Sequence, residues 1–529
     1  MADYFINIGV DNKVREGESF DIVLGKSNNA QSNFNLIIGE SNIGDNEYNT
    51  IFGQLNQVNS VFGLTFGIEN TITGNYSLTF GKTIVNSGQY SVVFGESTTN
   101  KSGKVVIVSN KSTNTGENAI IVGDEANNSG FNVAIFGNTN KNKGQNALLV
   151  GNNAENEGYN SLLLGEETYN KGYNTLLIGE ASQNFGRNTI LLGDDTINKG
   201  MNSIVSGIDN ENNGDNAILL GEASTNNGRE ALLIGKNLTN TGFQAIITGE
   251  GSSNTGSQSV IIGNDNNNKG VRSIVFGEGV VNEGQSSSIF AESSSNSGMF
   301  SVIYGKTQNN TGNYTILFGE ENQSSGQNNF ITGLKNKITG NYNFVTGEGN
   351  TGTFNYSALL NNSIQGTNLS NSVVLGQGQF DNVSQSVLGG FYQAQSSEGL
   401  FGFAKGVLNS VSGLVAFGLA EITSSKNGAT LGTAKVISSE TFISLNGDIE
   451  SSQSSVTISG KTHQGQNVVN ISSFVQSSKN MIAMGENNVV ANSDTSIVSV
   501  KYGQVDGVTG SYINVVEANT EFEIEMPQI

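Results

Sequence analysis

Cysteine and tryptophan are absent from this sequence, and proline and histidine occur only once each. Without cysteine, disulfide bonds and thiol redox chemistry are excluded, while the compartment in which the protein works stays open. Charged residues make up only 13% of the chain, about half of what globular domains carry. Glycine, by contrast, occupies 69 of the 529 positions, and apolar residues come in short regular runs. One fold repeated many times fits this composition better than several unrelated domains.

The charge balance is acidic, with 46 Asp and Glu residues against 25 Lys and Arg residues. Binding to nucleic acid depends on clustered Lys and Arg, so a net charge of −21 argues against a nucleic-acid partner and an anionic membrane surface. No run approaches the roughly 18 continuous apolar residues of a membrane helix, and we expect no membrane insertion. The first ten residues also lack the basic and apolar segments of a secretory signal.

A 14-residue repeat organises the chain, and a glycine ends the apolar run of each repeat. From Gly25 the repeat keeps its register without insertion for about 25 copies, as far as Asn361. One residue is then inserted before Gly376, and the repeat continues less regularly, with a register break near residues 461–484. The repeat glycines in the middle of the regular part, which we predict to be turn glycines, are Gly123, Gly137, Gly151, Gly165, Gly179, Gly193, Gly207, Gly221, Gly235, Gly249, Gly263 and Gly277.

This repeat predicts four segments and about 34 coils in all. Residues 1–24 form an N-terminal cap or attachment segment, and residues 25–361 form the regular β-roll. Residues 362–502 continue the roll less regularly, and residues 503–529 form a C-terminal cap. Caps are expected because the end coils of a solenoid expose open sheet edges that would otherwise aggregate.

Each repeat is predicted to contain strands rather than helix. A second glycine lies seven residues from the first, as Gly158 and Gly165 show on either side of Tyr-Asn-Ser-Leu-Leu-Leu. Glycine at that spacing would cost a helix about 1 kcal/mol per position, which excludes a coiled coil. A strand of about four residues followed by a tight turn, twice per repeat, fits better, with glycine supplying positive φ at the turns. The predicted fold class is therefore all-β, an elongated parallel β-solenoid.

Asparagine supports this fold, because it recurs two residues before the second glycine in 17 consecutive repeats. Identical residues in adjacent coils of a parallel solenoid lie about 4.8 Å apart, close enough for Asn side chains to form a hydrogen-bonded ladder. We interpret the row as structural. Its members are Asn86, Asn100, Asn114, Asn128, Asn142, Asn156, Asn170, Asn184, Asn198, Asn212, Asn226, Asn240, Asn254, Asn268, Asn282, Asn296 and Asn310. A second row runs through Asn118, Asn132, Asn146, Asn160, Asn174, Asn188, Asn202 and Asn216.

The strands are apolar on both faces, as residues 161–164 and 217–220 show. Alternate strand residues point to opposite sides of a sheet, and a strand that is apolar on both sides is normally buried on both. A 14-residue coil is too thin to cover its strands twice, so we expect the outer face to pack against other copies of the chain. The alternative is a monomer with a wider coil of two repeats.

The sequence Asn-Ser/Ala/Thr followed by three apolar residues and glycine, as at 160–165 and 146–151, resembles the YadA-like head repeat of trimeric autotransporter adhesins. The resemblance covers roughly residues 25–460 and implies a left-handed parallel β-roll assembled as a homotrimer. The chain departs from that family in showing no signal peptide, no coiled-coil stalk and no membrane-anchor strands. Phage tail and head fibres are also similar to such rolls, and they assemble in the cytoplasm without an export signal.

No residue set stands out as a catalytic, cofactor or metal site. The acidic residues that follow the core glycines, such as Glu166 and Glu180, are candidate calcium ligands. The calcium-roll signature is missing, however, and stacked like charges are expected to splay into water. The lone His463 has no nucleophile or metal-ligand partner in sequence. Aromatic residues in the turns are candidates for glycan contact or for covering apolar strand edges: Tyr159, Tyr169, Tyr173, Phe185, Phe243, Tyr314, Tyr342 and Phe344.

From these observations we expect a non-enzymatic fibre of a virion, a tail or head fibre that spans a distance and binds a host surface. Its expected partners are other copies of the chain, a virion tail or capsid protein at one end, and a host glycan or protein. Assembly would take place in the host cytoplasm. A bacterial trimeric adhesin or surface-layer component at the cell surface is the alternative, and a fibre-borne polysaccharide depolymerase is a second one. The receptor-binding residues are not identified by the sequence.

Overall fold

The computed structural model describes residues 4–15 and 20–360 in full, and beyond residue 360 mainly the backbone of the strands. The described residues form β-strands joined by turns, with no helix and hence none that could cross a membrane. The chain divides into two units, Met1–Asp265 and Asn266–Ile529. Each unit is a parallel β-solenoid, which confirms the predicted fold class.

Each coil of unit 1 contributes one strand of three to five residues to a long-strand sheet and one strand of two residues to a short-strand sheet. The long strands are Ile6–Val10, Ile22–Lys26, Leu36–Glu40, Thr50–Gln54, Leu64–Ile68, Leu78–Lys82, Val92–Glu96, Val105–Val108, Ala119–Val122, Val133–Phe136, Ala147–Val150, Ser161–Leu164, Thr175–Ile178, Thr189–Leu192, Ile204–Ile208, Ile218–Glu222, Leu232–Lys236, Ile246–Glu250 and Val260–Ile262. The short strands are Lys13–Val14, Asn29–Ala30, Ile43–Gly44, Gln57–Val58, Thr71–Ile72, Val85–Asn86, Thr99–Asn100, Thr113–Asn114, Asn127–Asn128, Lys141–Asn142, Glu155–Asn156, Tyr169–Asn170, Gln183–Asn184, Ile197–Asn198, Glu211–Asn212, Thr225–Asn226, Thr239–Asn240 and Ser253–Asn254. The second strand of the coil is thus shorter than the predicted length.

The strand register in unit 1 follows the sequence repeat. Leu163 pairs with Leu177, so partners in adjacent coils are one repeat apart. At the start of the chain Gly9 pairs with Gly25 in parallel register, and this first coil is slightly longer than the repeat. The solenoid therefore begins inside residues 1–24, one coil before the position at which the sequence repeat becomes visible.

The turns are formed by residues with a left-handed backbone conformation (positive φ), which recur every seven positions. Asn160 has a φ of 53° and Glu167 a φ of 55°, and within residues 20–360 equivalent residues turn the chain in the other coils of both units. The left-handed region is sparsely allowed for residues with a Cβ, and Asn and Asp tolerate it best. This preference explains the predicted second Asn row, whose members occupy one of the two turn positions of their coils.

The two glycines of each repeat serve different purposes. Gly165 has a φ of 146°, and a Cβ added there would lie 1.7 Å from the carbonyl oxygen of Gly179 in the next coil. Gly158 is outside the positive-φ region, yet its Cβ would lie 1.8 Å from the Gly172 oxygen. The prediction that both glycines supply positive φ is therefore wrong for Gly158 and its equivalents in unit 1, which are required by the close stacking of coils, although Gly326 and Gly340 in unit 2 do have positive φ.

The core of unit 1 is a column of aliphatic residues, two positions before each repeat glycine. Each is 0% exposed because the long strand points it into the narrow interior of the coil: Val23, Ile37, Ile51, Val93, Ile107, Ile121, Ile135, Leu149, Leu163, Leu177, Leu191, Val205, Leu219, Leu233, Ile247 and Ile261. Thr65 and Thr79 take the same place in two coils. Burying a Leu or Ile side chain contributes about 1.5–3 kcal/mol, so this column is a major source of stability.

Unit 2 also has two sheets, but between Thr351 and Ala416 the strand lengths reverse. There the strands of the second sheet have five to seven residues and those of the long-strand sheet have two. Its long-strand sheet contains Ile274–Glu278, Ser288–Glu292, Val302–Lys306, Ile316–Glu320, Phe330–Leu334, Phe344–Glu348, Ala358–Leu359, Val373–Val374, Val387–Leu388, Phe401–Gly402, Val415–Ala416, Asn427–Thr430, Thr441–Ser444, Ser454–Thr457, Asn467–Asn470, Met481–Met484, Ser496–Val500 and Tyr512–Val515. Its second sheet contains Asn267–Asn268, Val281–Asn282, Ser295–Asn296, Asn309–Asn310, Gln323–Ser325, Lys337–Thr339, Thr351–Asn355, Ile364–Ser370, Gly378–Ser384, Gly390–Gln395, Ala404–Ser410, Ala420–Ile422, Ala434–Val436 and Asp448–Ile449. A four-stranded sheet of Ser473–Val475, Asn488–Val490, Gly503–Asp506 and Phe522–Glu523 follows.

The coil length of unit 2 changes at the predicted insertion and again ahead of the predicted register break at 461–484. Ala358 pairs with Val373, so the coil at the predicted insertion is one residue longer than the repeat. Thr441 pairs with Ser454, and Ser454 with Asn467, so each of these coils is one residue shorter than the repeat. The segment containing His463 lies outside the described residues, as does most of the predicted C-terminal cap.

Candidate functional site

The long strands present a second apolar surface on the outside of the coil. In Ser161–Leu164, Ser161 and Leu163 are buried, while Leu162 and Leu164 point outward and are partly exposed. Alternation of side chains along a strand produces this division, so the outer residues cannot be covered by their own coil. The long-strand sheet is apolar on both faces, as predicted from the sequence.

In unit 1 this outer apolar face is two residues wide, formed by the residues three and one positions before each repeat glycine. The first column is Ile22, Leu36, Thr50, Leu64, Leu78, Val92, Val106, Ile120, Ala134, Leu148, Leu162, Leu176, Ile190, Ile204, Ile218, Leu232, Ile246 and Val260. The second is Leu24, Ile38, Phe52, Phe66, Phe80, Phe94, Val108, Val122, Phe136, Val150, Leu164, Ile178, Leu192, Ser206, Leu220, Ile234, Thr248 and Ile262. At a strand spacing of about 4.8 Å the face covers on the order of 600 Å², at the upper end of patches on monomeric proteins.

Stacked phenylalanines form part of this face. Phe52, Phe66, Phe80 and Phe94 lie in successive coils, with ring centroids 4.5 to 4.9 Å apart and nearly parallel planes. The strand spacing itself sets this distance, because identical residues in register must stack. In unit 2, Phe276 and Phe290 repeat the arrangement with centroids 5.1 Å apart.

A second aromatic stack, which we call the turn aromatic ladder, lies in the first seven coils of unit 1, and its members from Phe34 to Tyr90 are left-handed turn residues. Its rings are exposed and its centroids are 4.7 to 5.4 Å apart; its members are Tyr4, Phe20, Phe34, Tyr48, Phe62, Tyr76 and Tyr90. This ladder was not predicted from the sequence. Its signal was present, because from Phe20 onward an aromatic residue recurs at the repeat spacing, five positions before the repeat glycine.

Most of the aromatics named from the sequence also have partners, although Tyr169 and Phe344 lie in strands and not in the predicted turns. The Tyr159 and Tyr173 rings stack 5.1 Å apart, and the Arg187 guanidinium lies 4.9 Å from the Tyr173 centroid. Tyr169 and Phe185 are tilted, 5.5 Å apart. In unit 2, Tyr314 stacks on Phe300, Tyr342 on Tyr356, and Phe344 on Phe330. Phe243 is 39% exposed. These contacts within the chain show that much of the aromatic surface serves coil stacking.

The predicted Asn ladder is present in each unit and is internal. From Asn100 to Asn254 in unit 1, each side-chain amide donates to the Oδ1 of the Asn one coil earlier, at 2.7 to 2.9 Å. The same bonds join Asn268 to Asn310 in unit 2. All members are at most 2% exposed, so they hold coils together. The predicted structural role is confirmed.

Further Asn rows were not predicted from the sequence. Asn42 donates to the Asn28 Oδ1 at 3.0 Å and to the Gly53 carbonyl at 2.7 Å, and this row continues through Asn56 and Asn70. Most later coils of unit 1 carry Ile, Leu, Ala, Ser or Thr at this position, with Asn again only at Asn140 and Asn210, and these interruptions hid the row. The second predicted row, from Asn118 to Asn216, is exposed, and its bonds run in the opposite direction: each amide donates to the Oδ1 of the Asn one coil later, at 2.8 to 3.0 Å.

Charged residues on the outside pair along the stacking direction. Lys236 lies 3.0 Å from Glu222, and Lys306 lies 2.9 Å from Glu292. Glu157 accepts a bond from Lys143 at 2.8 Å, and that bond lowers the pKa of the Glu157 carboxyl. Of the calcium candidates, Glu166 accepts from Asn152 at 3.0 Å instead of facing another acid. Among the described residues no three potential metal ligands come together.

Comparison with known proteins does not assign a family. No protein-family model matches the chain, and no curated protein matches it. The structure establishes a parallel β-solenoid with coils of about 14 residues.

Proposed function

We propose that this protein is a non-enzymatic structural and adhesive fibre, a homotrimer whose chains pack through their outer apolar faces. The observation that carries the proposal is that face, with two outward apolar residues in nearly every coil of unit 1. In this face Val106 is 40% and Ile120 45% exposed, and in a monomer this exposure of apolar side chains to water would not stabilise the fold. A partner that covers the face recovers about 25 cal/mol for each Å² of apolar surface removed from water.

The size of the face is sufficient for this role. Stable protein interfaces bury about 800 Å² on each partner, and the unit 1 face alone approaches that area. Its flat, regular columns match a second copy of themselves, since the same spacing recurs in every chain. The number three comes from the resemblance to the YadA-like head repeat in the strand motif at residues 160–165.

A virion tail or head fibre is the setting that we favour, with assembly in the host cytoplasm. The resemblance extends to phage fibre proteins, and stacked coils with an internal Asn ladder suit a part that must keep its shape under load. One end would join a tail or capsid protein, and another part of the surface would bind a glycan or protein on the host. A bacterial trimeric adhesin or surface-layer component uses the same features and is the alternative setting.

Light scattering on the purified full chain tests the assembly. We expect a mass of three chains of 55.6 kDa each. The double variant Leu162→Glu/Leu176→Glu places charges on the outer apolar face and should lower the mass to that of one chain. The matched control Asn127→Glu/Gln183→Glu adds the same charges at exposed short-strand positions and should leave the trimer intact. A monomeric wild-type protein would overturn the proposal.

Antibody labelling separates the settings. Gold particles on purified virions would support the virion fibre, whereas labelling confined to the bacterial envelope would support the adhesin. Incubation with host polysaccharides tests the remaining alternative, a depolymerase. Released oligosaccharides would contradict the proposal of a non-enzymatic fibre.

A further inference from the structure

A surface depression in unit 1 lies where the turn aromatic ladder ends. Its volume is about 470 Å³, within the range of small-ligand sites. It is polar and open, and it lies between three consecutive coils. The side chains and backbone around it include Gln89, Tyr90, Lys101, Gly103, Lys104 and Glu117.

The depression exists because one coil lacks a side chain. Gly103 occupies the position that Gln89 holds in the coil before and Glu117 in the coil after, so the two longer side chains border a gap. A Cβ at Gly103 would lie 3.0 Å from the Gln89 carbonyl oxygen, with no other contact shorter than 3.5 Å. Gly103 therefore opens space at the surface, although the backbone there could accommodate a Cβ, which it could not at the repeat glycines.

One wall of the depression is an aromatic ring. Tyr90 is the last member of the turn aromatic ladder, stacked on Tyr76 with centroids 5.1 Å apart and planes within 2° of parallel. It is 59% exposed, and in the part of the chain that the structure describes no ring or cation covers its other face. The equivalent position in the next coil is occupied by Lys104 instead of an aromatic residue.

The other wall is cationic. Neighbouring lysines have carboxylate partners, since Lys82 pairs with Glu96 and Lys111 with Glu125. Lys101 and Lys104 form no ion pair with any described residue, although the chain carries a net charge of −21. Two positive charges without partners beside an open aromatic face favour a ligand that is both anionic and able to stack.

We propose that this depression binds an acidic saccharide, a uronic or sialic acid unit of a surface glycan. The proposal rests on the proposed function, in which the fibre binds a host surface. The C–H-rich face of a pyranose ring packs on Tyr90, and its carboxylate accepts charge-assisted hydrogen bonds from Lys101 and Lys104. Sugar hydroxyls donate to Glu117, and the Gln89 amide donates and accepts at the other side of the gap.

This arrangement discriminates by charge. A neutral sugar of the same shape would leave both lysines without an anionic partner, so it gains only the contact with the ring. The gap at Gly103 sets the position of the ring, because a side chain there would occupy the space between Gln89 and Glu117. Charge, aromatic contact and space can therefore be tested by separate substitutions.

Binding of the full-length protein to an array of uronic-acid, sialic-acid and neutral glycans tests the proposal, with carboxyl-reduced forms of each acidic glycan. We expect binding to at least one acidic glycan and at least tenfold weaker binding to its reduced form. Lys101→Ala/Lys104→Ala, Tyr90→Ala and Gly103→Gln should each weaken binding about tenfold or more. The controls Lys141→Ala and Tyr48→Ala, an exposed lysine and an inner ring of the ladder, should bind as the wild type does.

Absence of binding to every acidic glycan, or binding that the three variants leave unchanged, would overturn the proposal. Attachment of labelled protein to host cells distinguishes this failure from failure of the proposed function. If the variants attach normally, the fibre binds its host elsewhere and only the site is wrong. If the variants alter the mass of the assembly, the depression belongs to a subunit interface and the site is again wrong.

Discussion

The side-chain amide of Asn170 donates a hydrogen bond of 2.8 Å to the Oδ1 of Asn156, one coil earlier in the chain. The Oδ1 of Asn170 accepts the same bond from Asn184, also at 2.8 Å. All bonds of the inner ladder run in this one direction, so each amide polarises the next and the bonds reinforce one another. From Asn86 to Asn254 in unit 1 and from Asn268 to Asn310 in unit 2, the ladder thus adds a second set of bonds between adjacent coils to the backbone hydrogen bonds.

Replacing one member of the inner ladder should therefore be costly. We expect Asn170→Ala to destabilise the neighbouring coils by about 2–4 kcal/mol, because it removes the donor to the Asn156 Oδ1 and the acceptor of the buried Gly172 N–H. Hydrogen exchange of the strands Ser161–Leu164 and Thr175–Ile178 measures the loss. Asn160→Gly is the control, since it removes an exposed ladder member but keeps the left-handed turn, and it should cost less than about 1 kcal/mol. Equal effects of the two changes would show that burial of the ladder is unimportant.

Substituting alanine for a mid-repeat glycine should push two adjacent coils apart. Gly172→Ala would place its Cβ 1.8 Å from the Gly186 carbonyl oxygen, and backbone must move to relieve this contact. We expect a loss of more than about 3 kcal/mol, measured by denaturant unfolding with fluorescence of the nearby tyrosines. At Gly279, by contrast, a Cβ meets nothing closer than 3.8 Å and φ is 65°. Gly279→Asn should be tolerated, since Asn adopts that φ elsewhere in the chain.

The two faces of one strand should respond differently to truncation. Leu163→Ala should cost about 2–5 kcal/mol in unfolding free energy, because Leu163 is 0% exposed in the column that fills the coil. Leu162→Ala removes a partly exposed residue from the outer apolar face and should change unfolding of a single chain by less than about 1 kcal/mol. Its effect should be seen instead in the assembly, as weaker association in light scattering at low protein concentration. A large loss of single-chain stability at Leu162 would mean that the outer face is already covered within the chain.

Asp21 should make the first coils sensitive to pH. It is 0% exposed at a position where later coils carry Asn35 and Asn49, and burial raises the pKa of its carboxyl above the usual value. A raised pKa means that the folded state favours the protonated form, so stability is full in acid and falls as the pH rises through the folded-state pKa.

Asp21→Asn keeps the bond that Asp21 Oδ1 accepts from the Asn35 backbone amide, 2.7 Å long, and removes the charge. We expect the variant to stabilise the first coils by about 1 kcal/mol at neutral pH and to have little effect below pH ~4. Hydrogen exchange of Ile22–Lys26 at both pH values measures this. Stabilisation of the same size at both pH values would contradict the argument, because it could not come from ionisation.

The fold could be predicted because the glycine spacing, the apolar runs and the Asn row all indicate the same coil. The spacing of Gly151, Gly165 and Gly179 fixes the coil length, and the run of Leu residues before Gly165 fixes the long strand. The inner Asn row followed from the same spacing, since parallel stacking brings equal positions to hydrogen-bonding distance.

Other features depend on contacts that a linear pattern does not contain. Gly158 and Gly165 look equivalent in the sequence. Only the structure shows that Gly158 must be glycine because a Cβ would collide with the next coil, and not because of its φ. Asn42 belongs to a row that Ala and Ser interrupt, so its regularity is visible only in three dimensions. The gap at Gly103 depends on Gln89 and Glu117, which lie one repeat away on either side.

Leu163 pairs with Leu177, the equivalent residue of the next repeat. This pairing of equivalent positions affects how the gene for such a protein can change. Duplication or loss of one repeat joins equivalent residues at the new junction, so strands, amide bonds and turns all find matching partners. A deletion of any other length puts one coil out of register with the coil before it, and a turn must absorb the difference, as in the longer coil between Ala358 and Val373. Unequal recombination between repeats can therefore lengthen or shorten this protein in fixed steps of about 4.8 Å while preserving its surface chemistry.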